Sequence, residues 1–107
     1  MLAQARVAMP ATARPGDIIE IKALIRHPME TGYRVDARGQ PIPRHIVRRF
    51  AAVYGGTEIF RMEMTQGVAA NPFIAFHTVA TETGEIVFVW EDDLGATTEV
   101  RKTIEVV

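Results

Sequence analysis

The chain contains no cysteine and no serine among its 107 residues. Without cysteine there is no disulfide, no thiolate metal ligand, no cysteine nucleophile and no thiol to which a substrate can be attached covalently. Without serine as well, a nucleophilic hydroxyl would have to come from threonines, which are scattered at turns and strand ends and show no pairing with a base. No apolar run approaches the roughly 20 residues that a membrane-spanning helix needs. Positive charge is not concentrated either. Twelve Lys and Arg against 13 Asp and Glu leave a formal charge of −1 with no basic block, which argues against nucleic acid or an anionic membrane as the main partner. Repeats, linkers and low-complexity tracts are absent too.

The remaining composition, 48% hydrophobic and 23% charged, is that of an ordinary globular chain. Its length fits one domain, residues 1–107, large enough to bury a core without metal or disulfides. The patterning is β nearly throughout. Ala5, Val7 and Met9 alternate with polar or small neighbours until Pro10. Ile19, Ile21, Ala23 and Ile25 share one face at period two, with Glu20 and Lys22 on the other. A third strand runs from about Ile46 to Tyr54, where apolar residues of both parities around Arg48-Arg49 signal a bulge. Gly55-Gly56 marks a tight hairpin into Thr57 to Thr65. Phe73 to Phe76 and Ile86 to Trp90 are apolar on both faces, and Thr97 to Val107 ends the chain with Val100, Ile104 and Val106 on one side. About seven short strands with regular turns and no helical stretch predict an all-β fold, a single immunoglobulin-like antiparallel β-sandwich.

The exception is the segment from His27 to Arg44. It is long for a loop, and three prolines and two glycines restrict it, so an ordered binding loop is expected. Catalytic signatures are weak. Glu91-Asp92-Asp93 reads as a solvated turn, and the glycines sit in hairpin contexts with no helix start behind them. The metal reading has more to offer, because His27, Met29, His45, Met62, Met64 and His77 are soft or borderline ligands. Against it, Met62 and Met64 share a face with Phe60 as a core stripe would, and the histidines are dispersed along the chain without zinc-type spacing. An iron site of the superoxide-reductase kind, carried by similar sandwiches, uses a cysteine that this chain lacks.

One family fits these residues. His27-Pro28-Met29-Glu30-Thr31-Gly32-Tyr33-Arg34, then Asp36, Gly39 and Ile42-Pro43-Arg44, resembles the central signature of SoxZ proteins. Ala69-Ala70-Asn71-Pro72-Phe73 and Trp90-Glu91-Asp92-Asp93 before Gly95 resemble its second and third signatures. The resemblance covers essentially the whole chain. It implies a subunit that performs no chemistry, needs no cofactor and forms a heterodimer with a SoxY-type partner, whose C-terminal cysteine carries sulfur during thiosulfate oxidation, with transient contacts to other Sox enzymes. It also implies a periplasmic location reached on the partner's export signal. Composition, and a start from Met1 to Val7 with neither a basic region nor an apolar core, would otherwise point to the cytoplasm.

For partner binding, the expected residues are His27, Pro28, Met29, Glu30, Arg34 and Arg44 of the loop, together with an apolar sheet face built from the doubled patterns. On that face Val87 and Val89 are expected outward, and Ile86, Phe88 and Trp90 inward. The alternative function is a periplasmic copper carrier or metal-dependent sandwich using His27 and Met29.

Overall fold

The computed structural model describes residues 4–107; Met1 to Ala3, where the reading of the chain start begins, lie outside them. Eight strands follow in order: β1 (Gln4–Ala8), β2 (Thr12–Ala13), β3 (Ile18–Arg26), β4 (Val47–Tyr54), β5 (Thr57–Glu63), β6 (Phe73–Val79), β7 (Gly84–Asp92) and β8 (Thr97–Val106). They form a three-stranded sheet, β1-β3-β6, and a five-stranded sheet, β2-β8-β7-β4-β5. The strand beyond the expected seven is β2. It pairs with β8 in parallel, so the sandwich is not antiparallel throughout. Pro10 interrupts the first strand, and the chain crosses there from the small sheet to the large one. Two residues are too few for an alternation to be visible in sequence.

Alternation decides what lies inside. Ile19, Ile21, Ala23 and Ile25 of β3 are buried, and they meet Phe50, Ala52 and Tyr54 of β4 and Ile86, Phe88 and Trp90 of β7 from the other sheet. Phe50 holds the centre. Its ring lies 4.9 Å from Trp90, 6.0 Å from Phe60 and 6.3 Å from both Phe76 and Phe88. Phe60 of β5 stacks on Phe76 of β6 at 4.4 Å where the edges of the two sheets approach one another. Met62 and Met64 pack with this core, as their stripe predicts.

The bulge in β4 is present. Val47 pairs with Asp92 but Arg49 pairs with Glu91, so Arg48 is the extra residue, and this is how Val47 and Phe50 can both face inward. A second shift between β4 and β5 accommodates Ile59. At Gly55 and Gly56 the φ angles are +57° and +81°, as a two-residue hairpin of this hand requires. The hydroxyl of Tyr54 donates to the Glu82 carbonyl and accepts from the amides of Thr81 and Glu82, tying β4 to the β6–β7 turn.

Phe50→Ala should cost about 3–5 kcal/mol of stability, because the surrounding rings cannot close the cavity. Denaturant unfolding followed by tryptophan fluorescence would show it as a lower midpoint at unchanged slope.

Candidate partner-facing site

The segment between β3 and β4 is an ordered arm, and its root is where the structure spends its polar chemistry. His27 follows the last residue of β3 and is buried, with 5% of its surface exposed. Three bonds clamp it. Its amide donates to Oδ1 of Asn71 at 2.9 Å, its carbonyl accepts from the Asn71 amide at 2.8 Å, and its ring Nδ1 accepts from the Met29 amide at 3.0 Å. Met29 and Asn71 both adopt positive φ, +51° and +53°, a conformation that these bonds compensate. The Met29 side chain is buried in turn, and its Sδ accepts from the Val47 amide at 3.2 Å. Beyond this knot Glu30 and His45 exchange backbone hydrogen bonds of 2.8 and 2.9 Å, so the two legs of the arm leave the sandwich side by side. Gly32 has φ +86°, and a Cβ placed on it would lie 3.0 Å from Cβ of Arg44, so a side chain there would push the legs apart.

Farther out, the Ile42 amide donates to the Arg34 carbonyl, and Asp36 closes the tip by accepting from the amides of Arg38 and Gln40. Arg34 and Glu30 form an ion pair along one leg. Residues 32–41 are exposed throughout, with Tyr33 at 80%. The arm therefore covers neither apolar strand. It contributes to an elongated molecule of 59 × 19 × 18 Å.

The acidic turn after β7 braces the other leg. Nε2 of His45 lies 3.0 Å from Oδ2 of Asp92, and Nε of Arg44 lies 2.9 Å from Oδ2 of Asp93. Asp92 is half-buried, and burial alone would raise its pKa. The hydrogen bonds from His45 and from the Leu94 and Ala96 amides outweigh that and hold it below the ordinary carboxylate range. His27, by contrast, is pushed below the usual imidazole value, first by burial and then by its neighbour His45, with Asp92 and Asp93 opposing.

Two of the three histidines are thus not dispersed. The rings of His27 and His45 stand 4.6 Å apart, and with Asp92 they bring donor atoms within 4.8 Å of one another. Sequence spacings of 18 and 47 residues conceal this; the Glu30–His45 bridge brings His45 to His27, and the pairing of β4 with β7 brings it to Asp92. The cluster is nonetheless poorly arranged for a metal. Nδ1 of His27 is occupied by the Met29 amide, so neutral His27 carries its proton on the buried, unpartnered Nε2. Both Asp92 oxygens are engaged, and Met29 Sδ is spent on Val47. His77 lies elsewhere, exposed beside Glu20 on the small sheet.

Of the expected contact residues, Pro28, Arg34 and Arg44 are exposed and Glu30 is half-buried. His27 and Met29 do not present side chains to a partner, because both are needed inside as acceptors for buried amides; they position the arm instead. Val87 and Val89 point outward and are half-buried, while Ile86, Phe88 and Trp90 fill the core. The doubled apolar strands do not build one face. β6 and β7 belong to different sheets, so Phe73 and Ala75 lie on one outer surface of the sandwich and Val87 and Val89 on the opposite one. Sequence reasoning did not include Ala51 and Val53 of β4, which stand beside Val89 and Val87. The available signal was their parity, since both are apolar and alternate with Phe50, Ala52 and Tyr54. Around this apolar quartet lie Arg61, Glu58, Glu99 and Arg101 on the flanking strands, ion-paired among themselves and with Glu85.

These features define a β-sandwich with an apolar patch bordered by charges on one outer face and an ordered, exposed arm. Solved structures share the fold. A superoxide reductase (neelaredoxin) from Ignicoccus hospitalis superposes with a TM-score of 0.74 at 18% identity, over 96% of this chain and 80% of that one. The sulfur carrier protein SoxY from Chlorobium limicola f thiosulfatophilum gives 0.67 at 9% identity, over 96% and 78%. No curated protein sequence matches the chain. Its family is nevertheless definite: residues 6–103 match the family described as Sulphur oxidation protein SoxZ, and the chain belongs to it. The three signatures that carry the resemblance meet at the arm root, through His27 and Met29, Asn71, and Asp92 with Asp93.

Because His27 takes up protons less readily when folded than when unfolded, it binds fewer protons in the native state below its ordinary value of 6.5. Its contribution to stability is complete above that pH and is lost as pH falls toward the folded pKa. The thermal midpoint should therefore drop as pH falls below about 7. His27→Asn, which keeps an acceptor for the Met29 amide but cannot titrate, should flatten that part of the profile. An unaltered slope in calorimetry would assign the pH dependence to other groups.

Proposed function

We propose that this SoxZ-family chain is the thiol-free, non-catalytic member of a heterodimeric sulfur carrier, pairing with a SoxY-type subunit whose cysteine bears the sulfur intermediates. The observation that carries this reading is the outer face of the five-stranded sheet. Ala51, Val53, Val87 and Val89 form an apolar patch with charges only at its border, the composition of a lasting protein interface. The absence of cysteine accords with the division of labour, since the sulfur would have to be attached to the other chain. The arm, rigid at its root and exposed along its length, is suited to extend the same contact or to meet the enzymes that act on the carrier. A periplasmic site of action, reached together with the partner, belongs to the same proposal.

The metal-carrier alternative is weaker on chemical grounds, because the lone pairs of His27 Nδ1 and Met29 Sδ are both taken by backbone amides.

Val87→Asp should weaken pairing with a SoxY-type subunit by at least about 100-fold, since desolvating a charge in an apolar interface costs more than its cross-strand neighbour Arg101 can return. Circular dichroism should show an intact sandwich, whereas Phe88→Asp, one residue on, should unfold it. Normal co-purification of the Val87→Asp chain would remove this face from consideration. Incubation with thiosulfate and the other Sox proteins but no SoxY-type partner should leave the mass of the chain unchanged. A sulfur-containing adduct on it would overturn the non-catalytic assignment.

A further inference from the structure

The four outer strands of the two sheets are not equally protected. β5 carries Glu58, Arg61 and Glu63, β1 is five residues long and bears Arg6, and β2 has two residues. These are the usual means of keeping an open edge from pairing with another chain. β6 has none of them. Phe73–Val79 contains no Asp, Glu, Lys, Arg or proline, and it pairs with β3 without a register shift. Its outward residues include Phe73 and Val79, 61% and 47% exposed, beside Ile18 of β3 at 73%. This edge lies away from the Val87 face and does not depend on the function proposed above.

The hydrogen bonding of β6 indicates what can be added to it. The Pro72 carbonyl accepts from Ile25, and Ala80 exchanges bonds with Gly16 and Asp17. Even-numbered positions therefore bond toward β3, and Phe73, Ala75, His77 and Val79 direct their amides and carbonyls to the open side. An antiparallel copy of β6 centred on Phe76 sets Ala75 opposite His77 and Phe73 opposite Val79, so every outward position meets an outward position. Each such pair can exchange two hydrogen bonds. The same register orders the exposed side chains. Since Ile18 pairs with Val79 and Leu24 with Phe73, the outer surface acquires continuous apolar rows of Ile18, Val79, then Phe73 and Leu24 of the second copy. Between them Glu20 and His77 run on to Ala75 and Lys22 of the second copy, placing opposite charges in one row. Any other register either sets outward positions against inward ones or breaks these rows.

We infer that β6 is a self-association edge, through which two copies of the chain join their three-stranded sheets into one six-stranded sheet about a twofold axis at Phe76. The two copies meet edge to edge, and the pairing uses no residue of the outer face of the five-stranded sheet.

Sedimentation velocity of the full chain over a wide concentration range should show a reversible monomer–dimer equilibrium. Ala75→Pro removes one outward amide and no bond to β3, so it should weaken the dimer at least tenfold with unchanged circular dichroism. Phe73→Lys, at an exposed position, should do the same through charge and decides the matter if the proline variant does not fold. A chain that stays monomeric at every concentration overturns the inference, as do variants that dimerise like the parent. Loss of binding to a SoxY-type subunit in Ala75→Pro, with no self-association in the parent, would assign the edge to that partner and equally overturn self-pairing.

Discussion

The packing of two sheets around Phe50 is the constraint on which the rest of this protein depends. Four aromatic rings surround that side chain, one on its own sheet's edge strand, two on β7 and one across the sandwich on β6. Once Phe50 faces inward, the bulge at Arg48 must place Val47 inward as well. Ile46 and Val47 then anchor the returning leg of the arm beside the acidic turn, where the amides of Ile46 and Val47 find Asp93 and Met29. The core and the arm are thus mechanically continuous.

The arm root shows how an irregular segment becomes rigid without a disulfide or a metal. Two residues with left-handed backbone are held by His27: Asn71 through a reciprocal pair of bonds, and Met29 through its amide, which donates to the His27 ring. His27 and Met29 look like ligands in sequence, yet their acceptor atoms are directed at backbone amides that would otherwise be buried without partners, a loss of about 1–3 kcal/mol each. A residue type associated with metal or proton chemistry is used here for geometry.

The fold resembles those of superoxide reductases and of a SoxY sulfur carrier at low identity. The match over residues 6–103 shows the family, and these structural likenesses show the fold alone. On that scaffold this chain carries a patch of small aliphatic residues on the large sheet, an exposed arm, and an edge strand without Asp, Glu, Lys or Arg on the small sheet.

Much of this was legible in the sequence. Period-two alternation on β3, the bulge around Arg48, the glycine hairpin, the core methionines and the inward set of β7 all follow from local pattern, because a strand's two faces are written directly into odd and even positions. The family was legible as well, since its signatures lie in contiguous runs. What no local pattern contained was which sheet each strand joins. That choice put the outer residues of β6 and β7 on opposite surfaces, brought Ala51 and Val53 beside Val87 and Val89, and made neighbours of His27, His45 and Asp92. It also turned two residues, Thr12 and Ala13, into a parallel strand. Alternation tells a residue whether it faces in or out; only the long-range pairing of strands decides what it faces.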